Sequence, residues 1–133
     1  MSQQTVAALE QETRRLLEHL DAMDLAGLSA MITDDAQSID EISRNWRRGR
    51  AALESYLSQL EGAVTDVRSQ ISDLHAISWD DTGLVTFVLD QTYQTHGEHE
   101  TISAPTSLLF RRQGDAWKVA LIHSVPLPEQ AET

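Results

Sequence analysis

The sequence predicts an α+β domain in which three helices precede an antiparallel meander, and three observations carry that prediction. Apolar residues recur at helical spacing through about residue 61. Beyond Val67 the spacing shortens into segments rich in Val, Ile, Thr, Trp and Phe, and each junction between these segments carries turn residues. A chain of 133 residues is the size of one domain, so a single core is expected over about 6–125, with a tail over 126–133.

The elements follow in order. Val6, Leu9, Leu16, Leu17, Leu20 and Met23 fall on one helical face, with Glu10, Glu12, Arg14, Arg15, Glu18 and His19 between them, which predicts a long amphipathic helix. Asp24 is placed to cap a second, short helix carrying Leu25, Leu28, Met31 and Ile32, which the acidic pair Asp34 and Asp35 ends. Ala36 to Ile42, with Ile39 and Ile42 as its large apolar residues, is expected to be a short edge strand. Helical spacing returns from Arg50 to Glu61 through Leu53, Tyr56, Leu57 and Leu60, with Gly62 as the expected C-terminal cap.

Four strands are expected near 67–79, 84–96, 99–112 and 117–125, joined at "DDTG", "HGEH" and "QGD". In "THGEHE" a two-residue loop of Gly97 and Glu98 suits a type II′ turn and would set His96 opposite His99. The apolar positions Val67 and Ile71 change phase at Leu74, which predicts a bulge and a bend in the first long strand.

Composition excludes several classes of function. Twenty-one acidic against ten basic residues give a formal charge of −11, which disfavours nucleic acid and anionic membrane surfaces as partners. With no cysteine there is no disulfide, thiolate nucleophile or Cys-ligated metal, and no stretch approaches the roughly 18 apolar residues of a membrane span. A cytoplasmic location is the expectation. No Gly-rich phosphate loop, GxSxG elbow, HExxH or paired-Cys motif occurs, which removes the common nucleotide, hydrolase and zinc readings.

The stretches "LDAMDLAGLSAMITDDA", "GRAALESYL" and "GDAWKVALIHS", in this order and over about Val6 to Val125, resemble the SnoaL-like and ketosteroid isomerase-like branch of the nuclear transport factor 2-like superfamily. The resemblance implies a cone: a curved antiparallel sheet wrapped around three N-terminal helices, also described as cystatin-like. It further implies a cavity for a small hydrophobic or carbonyl-bearing molecule, no cofactor, and a homodimer formed through the convex face of the sheet. The same fold resembles the association domain of calmodulin-dependent kinase, so a non-catalytic ligand-binding or dimerisation module stands as the alternative. Fold alone does not decide between them.

Candidate residues follow from both sources. By the resemblance, Asp40 in "TDDAQSID" holds the position of a general-base aspartate, chemistry that needs a carboxylate partly withdrawn from water beside the substrate. The oxyanion donors of the ketosteroid isomerases fall on Leu16 and Thr106. Leu donates nothing and a Thr hydroxyl is a weak acid, and each lost donor costs a factor of about 10² to 10³ in rate, so steroid isomerisation itself is disfavoured. Cofactor-free isomerase, cyclase or dehydratase chemistry is left open.

His123 alternates with Trp117, Val119, Leu121 and Val125, so a regular last strand would put it on their face, where an imidazole can act as acid or base near neutrality. Leu16, Leu20, Trp46, Tyr56 and Thr106 are expected to line the cavity, with Trp117 as a further candidate. His96, Glu98, His99 and Glu100 read as an exposed hairpin tip rather than a metal site, because ligands need second-shell support. Arg44, Arg47, Arg48 and Arg50 form a basic patch that reads as a solvated balance to the preceding acids.

Overall fold

A computed structural model describes residues 3–40 and 44–126. Its order is α1 (Gln3–Asp21), α2 (Leu25–Ala30), β1 (Ile32–Ile39), β2 (Arg47–Arg48), α3 (Arg50–Ala63), β3 (Thr65–Trp79), β4 (Thr82–Thr95), β5 (Glu98–Gln113) and β6 (Ala116–Ser124). The tail beyond residue 126 and the end of the strand expected to reach Ile42 lie outside the described residues.

α1 buries Leu9, Thr13, Leu16 and Leu17, a stripe one turn apart. Thr13 is an inward residue that apolar periodicity passes over; its hydroxyl donates to the Leu9 carbonyl at 2.8 Å, which satisfies it inside the core. Asp24 caps α2 as expected, its side chain accepting from the Gly27 amide at 3.0 Å. That helix ends at Ala30, with Met31 as its cap and Ile32 already in a strand. α3 buries Leu53, Tyr56 and Leu60, runs through Gly62 to Ala63, and is closed by Val64 rather than by the glycine.

The six strands form one curved, unclosed sheet in the order β2-β1-β6-β5-β4-β3. All neighbours are antiparallel except β1 and β6. β1 is therefore not the edge strand expected: β2 covers one side of it and β6 pairs with the other. The chain enters β1 from α2, crosses over through α3 and the long hairpins, and returns alongside it.

Bulges bend this sheet. β3 loses register to β4 between Thr65 and Arg68 and again between Ser72 and His75, with Asp66 and Asp73 both at φ 53°. Asp tolerates this left-handed conformation better than most residues, so the bends fall where the sequence permits them. The second of them matches the phase change expected at Leu74. A further bulge lies in β6 between the residues paired to Leu109 and Phe110.

The β4–β5 hairpin differs from expectation in a related way. Thr95 pairs with Glu98, so the loop is His96-Gly97, with φ of 53° and 77°. Two positive φ values make this a type I′ turn, which matches the strand twist, and His99 sits opposite Gln94 rather than His96. α1 packs against β3 and β4, and α3 against β1. The main core joins Leu9, Val85, Phe110, Trp117 and Val119, while a second apolar cluster of Tyr56, Leu60, Val64 and Val67 gathers under α3.

Candidate functional site

Between these clusters the curved sheet and the helices leave a cavity of about 120 Å³. Leu16 and Leu20 of α1 and Leu53, Tyr56 and Leu60 of α3 form one side. The concave face of the sheet forms the other. Apolar side chains dominate the lining, and among the described residues Asp40 is the single charged one.

Strand register explains how Asp40 arrives there. Ser38 pairs with Ile122 and Ile39 with His123, so one further step of the parallel ladder brings Asp40 beside Ser124. Ser38 and Asp40 share one face of the strand and both line the cavity. Ser124 in turn pairs with Thr106 on β5. Asp40, Ser124 and Thr106 thus form a polar row across three neighbouring strands, within an otherwise apolar wall.

Hydrogen bonds hold its members at two places, Asp40 to Tyr56 and Thr106 to Ser124. The Tyr56 hydroxyl donates to Asp40 Oδ2 at 2.5 Å, reaching down from α3. The Arg47 guanidinium lies over the Tyr56 ring, 4.9 Å from its centroid, and helps to hold the phenol in place. Thr106 donates to the Ala104 carbonyl at 3.1 Å and shares a hydrogen bond with Ser124 at 2.9 Å. At another part of the wall, buried Gln91 donates to Ser69 Oγ at 3.2 Å, and Ser69 donates through its hydroxyl and amide to Asp21.

Of the residues expected at the cavity, Leu16, Leu20, Asp40, Tyr56 and Thr106 line it, and Trp46, Trp117 and His123 do not. His123 is exposed on the outer face because β6 is not regular. Val119 pairs with Phe110 and Leu121 with Leu109, which leaves Ala120 as an extra residue and inverts the alternation. Trp117 and Val119 point into the core, and beyond the bulge Ile122 and Ser124 take the inner face instead of Leu121 and His123. Asp40 and His123 therefore do not meet in the cavity. Trp46 is 41% exposed and stacks on His123 outside the sheet, ring centroids 6.0 Å apart. Trp117 is inward-facing but belongs to the main core, with the Arg112 guanidinium 4.7 Å over its ring.

Ser38, Gln91, Ile122 and Ser124 are cavity residues that the sequence reading missed. Ser38 was within reach, since it lies two positions before Asp40 and must share its face. Nothing in "KVALIHS" marks the bulge that brings Ile122 and Ser124 inward.

Three arginines of the basic patch, Arg47, Arg48 and Arg50, are engaged with other residues of the chain. Arg50 donates to the Ser29 and Ile32 carbonyls and to Asp34, and Arg48 donates to Gln37 and lies over the Trp46 ring. Among the described residues no group of three or more His, Cys, Asp or Glu side chains is arranged to hold a metal ion. Nor is any described helix long and apolar enough to cross a membrane.

Solved structures share this architecture. A dehydratase candidate of the nuclear transport factor 2-like family from Streptomyces avermitilis superposes with a TM-score of 0.85 at 15% identity, over 92% of this chain and 97% of that one. A ketosteroid isomerase-like protein from Erwinia carotovora atroseptica gives 0.83 at 17% identity, over 96% and 100% of the two chains. A candidate calcium/calmodulin-dependent protein kinase II association domain from Xanthomonas campestris gives 0.79 at 17%, over 93% and 86%. At these identities the likeness is one of fold. No curated protein matches the sequence significantly. The family model of the SnoaL-like domain matches residues 9–128, from the first buried leucine of α1 to beyond the end of β6, and this chain belongs to that SnoaL-like family, on the nuclear transport factor 2-like fold.

Proposed function

We propose that this protein binds a small, mainly apolar molecule in the cone cavity and that Asp40 acts there as general base in a cofactor-free proton transfer of isomerase, cyclase or dehydratase type. The observation that carries the reading is the position of Asp40 as the lone charged group among the described residues of an apolar lining, half-buried and oriented by the Tyr56 hydroxyl at 2.5 Å. An oriented carboxylate in a site with little competing water is what proton abstraction requires, and the proton it takes can be returned to the same molecule, so no further reagent is needed. Dehydratase-like and isomerase-like proteins among the structural neighbours agree with this class of chemistry.

The experiment is a thermal-shift screen of small hydrophobic metabolites against the wild type and Asp40→Asn. A ligand at 100 times its Kd stabilises the folded state by about 2.7 kcal/mol. Ligands that shift the wild type and lose that shift in the variant support the proposal. A shift of equal size in both removes Asp40 from the site.

Self-association is a second, compatible part of the proposal, and the outer face of the sheet favours it. Ile77 pairs with Leu84, Leu84 with Leu109, and Leu109 with Leu121, so one apolar row crosses four strands on the convex side. Ile77 and the nearby Trp79 are 39% and 56% exposed. A homodimer would cover this row and leave both cavities intact. Sedimentation equilibrium of the wild type against Leu109→Asp tests it: a wild type that is already monomeric would end this part of the reading.

A further inference from the structure

Resting on the reading of the cavity as a ligand site, we propose that Gln91 is a second binding residue within it. The molecule bound is then a single ring with a polar group at each end, one at the polar row and an uncharged one at Gln91.

The inner face of β4 runs through Val85, Phe87, Leu89 and Gln91, all of them buried. At the last of these positions an amide stands where the period of the strand calls for another apolar side chain. Gln91 is 4% exposed, and burying a carboxamide costs free energy unless it is hydrogen-bonded. A relay supports one end of it. Asp21, the last residue of α1, accepts from the Ser69 amide at 3.0 Å and from the Ser69 hydroxyl at 2.7 Å, and Ser69 Oγ accepts from Gln91 Nε2 at 3.2 Å. The tie between α1 and β3 is complete with Asp21 and Ser69 alone, so holding the helix does not account for Gln91.

The other end of the amide faces the cavity. Among the described residues Gln91 Oε1 has no hydrogen-bond partner, yet none of their buried side-chain polar atoms goes unsatisfied, so this oxygen opens onto accessible space. For a residue on the lining and shielded from the outside, that space is the cavity. A ligand hydroxyl both donates and accepts, so it satisfies the carboxamide whichever of its two ends is turned inward. A charged group would meet only an uncharged amide among apolar side chains, which does not repay the loss of water.

Spacing and size fix the rest of the class. Thr106 is the member of the polar row nearest β4, and Gln91 stands four residues along that strand from Phe87, the partner of Thr106, or about 13 Å away at strand spacing. One ligand atom cannot touch both. A hydrogen bond of about 3 Å at each end leaves roughly 7 Å between two polar groups of the ligand, the span of a six-membered ring substituted at opposite positions. An apolar cavity of about 150 Å³ binds benzene, so the 120 Å³ here independently suits one ring.

Two pairs of isosteres test the proposal: trans-4-methylcyclohexanol with trans-cyclohexane-1,4-diol, and trans-4-ethylcyclohexanol with trans-4-(hydroxymethyl)cyclohexanol. Within each pair only the far methyl and hydroxyl are exchanged, and Kd values come from calorimetry or thermal shift. In at least one pair the preference for the hydroxyl compound is expected to fall about fivefold or more from the wild type to Gln91→Met, which keeps the length and removes both polar ends. Ser69→Ala leaves the amide in place without its support and should lose part of the same preference, so it carries the test if Gln91→Met does not fold. A purely structural role would lower stability without moving the ratio within a pair. Ratios unchanged in both variants would overturn the proposal while leaving the cavity a ligand site. Tighter binding of trans-4-aminocyclohexanol than of the diol at neutral pH would overturn the uncharged class. If none of these compounds binds the wild type, the cavity reading falls and the proposal with it.

Discussion

A cavity that is truly unfilled can be filled, and Ile122→Phe tests this directly. Ile122 lies on the inner face of β6, beside Ser38 and Leu108, with its side chain on the lining. If all 120 Å³ were occupied without strain, the gain at about 24 cal/mol per Å³ would be about 3 kcal/mol. One phenyl ring in place of the Ile side chain occupies a part of that space, so a gain of about 1 kcal/mol is expected, and Phe is as well suited to a strand as Ile. For a domain of this size that raises the Tm by about 4 °C. Thermal unfolding followed by circular dichroism measures it, and the same variant should lose the stabilisation that small ring compounds give the wild type. A fall in Tm of about 4 °C or more would instead be the signature of overpacking, which costs about 1–3 kcal/mol, and would refute the hollow interior on which the functional reading stands.

Other parts of the structure make separate predictions. A Cβ at Gly83 would lie 2.7 and 2.8 Å from the Leu9 methyls, and Leu9 is fully buried, so Gly83→Ala should cost about 1–3 kcal/mol, seen as a lower urea midpoint at unchanged m-value. Arg50→Ala removes donors from the Ser29 and Ile32 carbonyls at the α2–β1 junction and should cost about 1–3 kcal/mol, with Arg50→Lys restoring only part because one ammonium cannot span the fork. The Gly27 amide, and after it His19, hold the Asp24 carboxyl below its ordinary value of 3.8. A depressed folded-state value means that the cap contributes fully above the unfolded value and is lost as pH falls through the lower folded one. Asp24→Asn, which caps without titrating, should flatten the acid limb of the stability profile below about pH 4; parallel profiles would contradict this.

The sequence made helices and strands legible because burial there follows simple periods. α1, α3 and the four long strands fall within a few residues of the positions their apolar spacing predicts, and Asp24 caps α2 because capping is local chemistry. What it hid were matters of parity and partnership. The pairing of β1 with β6 joins residues more than eighty positions apart, and a short strand with Ile39 and Ile42 as its large apolar residues reads as an edge when its far partner is unknown. Gly62 failed as a cap because Val64 can close α3 in an extended conformation, which makes no demand for glycine. His96 took a left-handed position without being Gly or Asn, so the hairpin loop slipped by one residue from the sequence expectation. The bulge at Ala120 had the largest effect on the site, since one extra residue turned His123 out and Ser124 in.

The same irregularities that hid the site account for it. Bulges in β3 and β6 curve the sheet, and between its concave face and the leucines of α1 and α3 a gap stays open. A core free of function would be expected to shrink this space, because filling it would stabilise the fold by up to about 3 kcal/mol. It would also be expected to exclude a carboxylate, because a half-buried charge facing apolar side chains costs free energy unless it is bonded. Here both features fall at one place, where Asp40 lines the hollow and Tyr56 on α3 donates a hydrogen bond to it. Local rules broken together at a single concave spot, with a dedicated side chain to support the exception, are what the proposed ligand would account for.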